Sequence, residues 1–132
     1  MFNVQVDNTP TITVNTSKHQ VSYAINGTLM NPLEAFYATL AGCAAVFVKK
    51  SCKEQGISAE GINIECKPFA GPGGPLTLAR FKTEVSFPEN ITEEQRAKIL
   101  EAISHCAVKE IVVGGQDIDF PVSEKHIAST VA

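Results

Sequence analysis

The sequence lacks the features that mark several large classes of protein. Its net charge is −3, its isoelectric point is near 5.6, and its eleven Lys and Arg residues are scattered along the chain. Nucleic acid is therefore disfavoured as a partner, because a basic patch is the usual electrostatic footprint of such proteins. The first ten residues, MFNVQVDNTP, contain neither a basic nor an apolar segment. They predict no secretory signal, and we expect a cytoplasmic protein.

A long hydrophobic run is also missing. The longest apolar-rich segment, Ala35 to Val48, has about 14 residues and is followed by Lys49 and Lys50, whereas a membrane-spanning helix needs about 20. The segment therefore predicts a buried helix and no membrane partner. With 132 residues, 44% hydrophobic and 19% charged, the chain has the length and composition of one globular domain, which we expect to span residues 1–132.

The cysteines lack the spacing of a metal site or a redox motif. Cys43, Cys52, Cys66 and Cys106 form no CxxC pair and no Cys/His zinc pattern. Stable disulfides are not expected in a reducing compartment. A functional cysteine in this chain would then be a reactive thiol, and no metal site is predicted.

What is present predicts a mixed fold that begins with strands. Residues 1–29 alternate apolar and polar side chains, and TITV and HQVSYAI flank the turn signal NTSK, as in a hairpin. Asn31 can then cap a helix, Pro32 suits its first position, and Glu34 stands where its side chain can bond back to the cap. Gly56 supplies a left-handed stop about 25 residues later.

This helix is apolar on every side in its middle, so we expect it to be central and to be covered in part by a second subunit. After it, period-two patterns predict two strands, near residues 62–67 and 80–87, on either side of the Gly- and Pro-rich loop PFAGPGGPLT. A capping box, TEEQ, opens a helix that runs to about His105, and a shorter helix follows and ends at Gly114 and Gly115. DIDFPVS, residues 117–123, reads as a last strand, which makes the predicted class α+β. The first of these two helices is predicted to bury Ala97, Leu100, Ile103 and Ala107.

Each cysteine is more often a small core residue than a reactive one. Cys66 lies on the inward face of a predicted strand, and Cys52 lies near the C-terminal end of the long helix, where the helix dipole disfavours a thiolate. We interpret both as structural. Cys43 and Cys106 lie on separate elements that must pack together, and the helix after Cys106 can offer backbone N–H groups to a thiolate. Two interpretations of Cys43 and Cys106 remain open: the two thiols form a redox pair, or both are small residues of the core.

Two segments resemble the cysteine motifs of the OsmC/Ohr family: NPLEAFYATLAGC, which ends at Cys43, and SHCAVKEI, which contains Cys106. The resemblance implies an OsmC-like fold of sheet, long central helix, second sheet and helix pair, assembled as an intertwined homodimer. It implies that Cys43 is the peroxidatic thiol and Cys106 the resolving thiol. An organic hydroperoxide would be the substrate and a dithiol the reductant, with neither a metal nor a flavin as cofactor.

The chain departs from the family's peroxidases at two partners of the thiol. Those enzymes carry an acid ten residues before the first cysteine, and here that residue is Leu33. Glu34 is one residue later, about 100° round the helix. They also carry an arginine in the N-terminal region, whereas no arginine precedes Arg80. Lys18 offers positive charge there without bidentate pairing to a carboxylate, so Glu34 and Lys18 are only possible supporting residues.

Two functions remain open from the sequence. The first is a thiol-dependent peroxidase for organic hydroperoxides, with an apolar pocket beside Cys43 that is lined by Phe36, Tyr37, Leu40 or Phe47. The second is a non-catalytic dimer of the same fold that binds a small apolar ligand or serves as a stress-related accessory or thiol sensor. In the second case nothing would favour the thiolate, and the pKa of Cys43 would lie near the unperturbed ~8.5.

Overall fold

Strands and helices alternate in blocks along the part of the chain that the computed structural model describes, residues 1–122. The elements are β1 (Asn3–Val4), β2 (Thr11–Asn15), β3 (Gln20–Ala24), α1 (Pro32–Gln55), β4 (Asn63–Phe69), β5 (Arg80–Ser86), α2 (Glu93–Ser104) and α3 (Ala107–Gly114). β1, β2 and β3 form one antiparallel sheet in that order, and β4 and β5 form a second. The predicted α+β class and the order of elements from the first sheet to α3 are confirmed.

The N-terminal hairpin has the predicted turn. β2 and β3 pair from Thr11 opposite Ala24 to Asn15 opposite Gln20. The Thr16 amide donates to the His19 carbonyl at 2.8 Å, and the His19 amide donates to the Thr16 hydroxyl at 2.9 Å. The turn therefore satisfies its own backbone groups, which fixes the register of the two strands.

Helix α1 begins and ends as its sequence predicts. The Asn31 side chain accepts from the Glu34 amide at 2.9 Å, and the Glu34 carboxylate accepts from the Asn31 amide at 3.4 Å, which completes the capping box. At the other end Gly56 takes the left-handed conformation, with φ of 67°, and its amide donates to carbonyls of the last turn. These caps fix where along the chain the middle of α1, and with it Cys43, is placed.

The core lies between the C-terminal half of α1, the second sheet and α2. Val48 and Cys52 of α1 pack with Ile91 and Ile99, and Ile99 is 0% exposed. The predicted buried face of α2 is wrong in part, since Ala97 is exposed and Leu100 is 49% exposed. Helix α2 contacts α1 through Ile99 and the partly buried Ile103, so its buried stripe is rotated by about one residue from the one predicted.

Residues 1–122 cover helix α1 only in part. Its residues that are buried are Leu40, Ala44, Val48, Ser51 and Cys52. On another side Val46 is 61% exposed and Gly42 is exposed. By length and composition alone α1 could cross a membrane, although the central helix of a soluble protein passes the same test.

The predicted last strand is wrong over its described part. Asp117 to Val122 forms no strand, and residue 123 lies outside the described residues. Ile118 and Phe120 are exposed, Phe120 by 88%. Polar and apolar side chains do alternate in DIDFPV, but a strand also needs a neighbouring strand that pairs with its backbone groups. No strand pairs with this segment within residues 1–122.

Candidate thiol site

Cys43 lies in the middle of α1, half-buried and away from both helix ends. Leu40 and Ala44 are on the same side of the helix and are buried. This placement follows from the capped start at Asn31, because each residue of a helix advances by a fixed rise and rotation. The Cys43 side chain is thereby directed towards the junction between α2 and α3.

Cys106 lies at that junction and is buried, 3% exposed. Helix α2 ends at Ser104, and Cys106 has extended backbone angles, φ −56° and ψ 123°, before α3 begins at Ala107. Cys106 is the N-cap residue of α3, and the Glu110 amide donates to its carbonyl at 3.0 Å. Its thiol therefore lies at the end of α3 where amide N–H groups have no partner within the helix.

The structure places the Cys43 and Cys106 thiols near enough to each other that each shifts the pKa of the other. Partial burial opposes ionisation of Cys43. The Cys106 thiol and the backbone N–H groups of Val108 and Ala107 donate to its sulfur, and together they hold the pKa of Cys43 below its ordinary value. Donors that favour the charged form lower the pKa of an acid, so Cys43 is the thiol that ionises first.

Cys106 responds in the opposite direction. Burial, the contact with Cys43 and the negative charge on Cys43 all raise the pKa of Cys106, and the N–H groups of Lys109 and Val108 only partly offset them. Once Cys43 is a thiolate, Cys106 is the protonated partner that donates to it. The two cysteines thus have unequal roles, a nucleophile and a proton-bearing neighbour.

A cavity of about 400 Å³ opens beside Cys106, within the usual size range of small-molecule sites. Its walls come from α1, β5 and the loop before it, α2 and α3. Most of the lining side chains are apolar. The lining residues are Leu40, Ala44, Leu78, Ala79, Arg80, Phe81, Thr83, Ile103, Cys106, Lys109, Val112 and Val113.

Of the four residues predicted to line a pocket near Cys43, Leu40 lines this cavity. Tyr37 lines a different one, of about 350 Å³, with Glu34 and Cys66. The Tyr37 ring stacks on Phe81 with centroids 5.8 Å apart, and Phe36 lies 6.0 Å from Tyr37. Phe47 is half-buried, with the Lys50 ammonium 5.9 Å from its ring centroid.

The two possible supporting residues are engaged elsewhere or exposed. Glu34 closes the capping box of α1, and Lys18 lies in the exposed turn between β2 and β3. No ion pair within residues 1–122 involves either side chain. The position of the family's acid is taken by Leu33, which is half-buried.

The remaining two cysteines lie apart from the pair. Cys52 is buried in the core, and burial raises the pKa of its thiol. The Cys66 sulfur lies 3.5 Å from the Thr83 hydroxyl on the neighbouring strand. Within the described chain no group of three or more His, Cys, Asp and Glu side chains could hold a metal ion.

Arg80 and Lys109 are the charged residues among those that line the cavity, and sequence reasoning assigned neither of them to a site. Arg80 is exposed on the second sheet and is also among the residues that line the cavity beside Cys106. Its guanidinium lies over the Phe69 ring at 5.5 Å. Arg80 and Arg96 are the two arginines of the sequence, and the Arg96 guanidinium packs over the Phe87 ring. The small number of arginines was the sequence signal that could have drawn attention to Arg80.

The fold and the site define a class: an α+β protein with a cysteine in the middle of a long helix and a second cysteine at the start of a short one. The family model for OsmC-like protein matches residues 25–120, which include both cysteines. The chain belongs to the OsmC-like protein family. No curated protein matches the sequence.

Solved structures share the fold at low identity. An OsmC-like protein from Mycoplasma pneumoniae superposes with a TM-score of 0.70 at 12% identity, covering 86% of each chain. An OsmC-like protein of unknown function from Vibrio cholerae gives 0.53 at 14%, covering 76% of this chain and 77% of that one. OsmC, an organic hydroperoxide resistance protein from Legionella pneumophila, gives 0.51 at 19%, covering 86% and 90%.

Proposed function

We propose that the protein is a thiol peroxidase that reduces organic hydroperoxides through Cys43 and Cys106. One observation carries the proposal: Cys43 on α1 lies near Cys106 at the start of α3, and this arrangement lowers the pKa of Cys43 while it raises that of Cys106. The thiolate is the nucleophilic form of cysteine. The Legionella protein of the same fold is an organic hydroperoxide resistance protein, which supports the choice of substrate class.

The reaction balances with these two side chains and a hydroperoxide. The Cys43 thiolate attacks the outer oxygen of ROOH, the O–O bond breaks, and the alkoxide takes a proton, for which the Cys106 thiol is the nearest source, to leave as ROH. Cys43 is now a sulfenic acid. The Cys106 thiolate attacks its sulfur, the S–O bond breaks, and the leaving hydroxide takes from solvent the proton that Cys43 released on ionisation, so that water leaves and a Cys43–Cys106 disulfide forms. A dithiol reductant restores both thiols by exchange and leaves as its own disulfide.

The start of α3 takes the place of the acid and arginine that this chain lacks near Cys43. The Cys106 thiol and the backbone N–H groups of Val108 and Ala107 lower the pKa of Cys43, and a helix N-terminus carries a partial positive charge that favours an anion. The alternative, a non-catalytic dimer that binds an apolar ligand, expects an unperturbed Cys43. The lowered pKa of Cys43 favours the peroxidase.

A homodimer in the cytoplasm is part of the same proposal. The exposed side of α1, with Gly42 and Val46, carries small and apolar residues that residues 1–122 of the chain leave uncovered. A second copy would bury that side. A reducing compartment would also supply the dithiol that turnover requires.

Peroxide titration tests the proposal. One equivalent of cumene hydroperoxide should remove two thiols from the fully reduced protein, and mass mapping should find the Cys43–Cys106 disulfide. Cys43→Ser lacks the nucleophile, so its rate of peroxide consumption should fall by at least about a hundredfold, to no detectable consumption in this titration. Cys106→Ser should stop at a sulfenic acid on Cys43.

Cys66→Ser is the matched control, because Cys66 is also half-buried but lies on the second sheet. It should react as the unmodified protein does. Unchanged thiol counts in the unmodified protein after peroxide, or a disulfide that involves Cys52 or Cys66, would contradict the assignment.

A further inference from the structure

The outer face of the second sheet carries its charges in rungs of one sign. Its exposed residues are Asn63, Glu65, Lys67 and Phe69 of β4 and Arg80, Lys82, Glu84 and Ser86 of β5. Glu65 lies directly opposite Glu84, and on the next rung Lys67 lies directly opposite Lys82. Like charges directly opposite each other destabilise an antiparallel pair, whereas opposite charges stabilise it. The stability of the sheet itself therefore does not explain this arrangement.

The charges of the two rungs are compensated only in part. The Lys82 ammonium lies 3.0 Å from the Glu84 carboxylate, and their side chains are 45% and 61% exposed. In the described part of the chain neither Glu65 nor Lys67 is in an ion pair. The Lys67 ammonium lies 5.4 Å from the centroid of the Phe69 ring. The acidic rung and the basic rung therefore both present charge to the surface.

A second copy of the same face is complementary to this pattern. Neighbouring rungs on one face are two residues apart along each strand, which is about 7 Å. When two copies meet face to face about a two-fold axis that runs across the strands between the two rungs, each acidic rung lies over a basic one. Glu65 then faces Lys67 of the second copy, and Glu84 faces Lys82. An interface of this kind uses the same patch on both copies.

The rungs on either side do not oppose this contact. Phe69 pairs with Arg80 beyond the basic rung, and Asn63 pairs with Ser86 beyond the acidic rung. The same two-fold axis places the rung with Arg80 over the uncharged rung, so no cation meets a cation. The face also contains a depression of about 550 Å³ that is lined in part by the four charged residues. The long side chains of a second copy can enter it.

We propose that this outer face is a contact between copies of the chain. It lies on the side of β4 opposite to Ile64, which packs against the core. It is therefore separate from the exposed side of α1, and it would join two of the homodimers proposed above. The contact needs no chemistry at the thiols, so a failure of the peroxidase proposal leaves it unaffected. Exposed ion pairs each contribute little, so the association should be weak and concentration-dependent.

Reversal of the charges tests the contact, by sedimentation equilibrium of the reduced protein at low salt. The unmodified protein should show an association step that higher salt weakens, because screening acts on the charges. Glu65→Lys with Glu84→Lys makes both rungs basic and should raise the dissociation constant of this step at least about tenfold. Lys67→Glu with Lys82→Glu makes both rungs acidic and should have the same effect.

A mixture of the two double variants distinguishes a lost contact from a lost fold. Their rungs are wholly basic and wholly acidic, so the two variants should associate with each other although neither associates with itself. The variant that carries all four substitutions should associate again, because its pattern is once more complementary to itself.

Glu54→Lys with Glu94→Lys is the matched control, because it makes the same change in net charge at exposed residues of α1 and α2. It should leave the association step unchanged. The proposal is overturned if the unmodified protein shows no salt-sensitive step, if the mixed variants do not associate, or if the control weakens the step as much as the rung variants do.

Discussion

Cys43 owes its lowered pKa to groups that lie far from it in the chain. The donors are the Cys106 thiol and the N–H groups of Ala107 and Val108, and only packing of α1 against the α2–α3 junction brings them close. The sequence around Cys43 contains one acid, Glu34, and it is used elsewhere. At the scale of the residue, the lowered pKa of Cys43 therefore depends on its tertiary surroundings and not on its own sequence motif.

This account predicts how the pKa of Cys43 responds to its partner. In the native protein, iodoacetamide should label Cys43 with a pH midpoint below that of the denatured protein, because a lowered pKa produces thiolate at lower pH. Cys106→Ala removes a donor and should move the midpoint upward. Cys106→Ser retains a hydroxyl donor and should lie between the two.

Mass spectrometry of the labelled peptides separates Cys43 from the other cysteines. Cys52 should remain unlabelled in the native protein at all these pH values, since it is buried and burial raises the pKa of its thiol. Equal midpoints for the Ala and Ser variants would show that the Cys106 side chain does not tune Cys43.

At the scale of the element, α1 is set in place by its caps. Asn31→Ala removes the side-chain acceptor of the Glu34 amide and should lower the free energy of unfolding by about 1 kcal/mol. Urea denaturation measures this. Asn8→Ala, at an exposed bend, is the control and should change stability by less than about 0.5 kcal/mol.

Glu34→Gln separates a cap from a thiol partner. Glutamine also completes a capping box, so this variant should keep both the stability and the labelling midpoint of Cys43. A shift of that midpoint with unchanged stability would instead assign Glu34 to the thiol.

The caps also explain what could be predicted from the sequence. Capping boxes, Gly56 and the NTSK turn act locally, through hydrogen bonds between residues a few positions apart, so they predicted the bounds of α1, α2 and the first hairpin. The burial of Ile99 in place of Leu100 depends on the angle at which α2 meets α1, and the strand predicted at 117–123 depended on a partner. Neither the packing angle of α2 nor the presence of a partner strand is determined by residues close to these segments in the sequence.

The lining of the cavity could not be predicted from the sequence for the same reason. Its walls combine α1 with β5, the preceding loop and α3, and the aromatic residues near Cys43 in sequence, Phe36 and Phe47, do not line it. Side chains four residues apart on a helix share a face, but which face meets a cavity is decided by the elements packed against it. The residues alone left a Cys43/Cys106 redox pair open, the family resemblance implied it, and it remains a prediction.

At the scale of the whole molecule, α1 is a helix that the described part of one chain covers on one side only. Its buried residues face the core, while Gly42 and Val46 are exposed. An exposed apolar helix side of this kind is usually covered by another subunit in a soluble protein. The proposed homodimer places a partner there and so supports the helix that carries Cys43.

The substitution Gly42→Ala distinguishes the dimer from a free monomer, because it should stabilise a monomer and destabilise the proposed dimer. In the single chain a Cβ at Gly42 would meet nothing within 4 Å, so Gly42→Ala would stabilise a monomer by roughly 0.5–1 kcal/mol through helix propensity. In the proposed dimer the same methyl group would separate two closely packed backbones.

We expect the dimer dissociation constant of Gly42→Ala, measured by sedimentation equilibrium, to rise about tenfold. The urea midpoint should fall most at low protein concentration. Lys50→Ala, also exposed on α1, is the control and should leave association unchanged, whereas a more stable Gly42→Ala protein with unaltered association would contradict a dimer built on this side of α1.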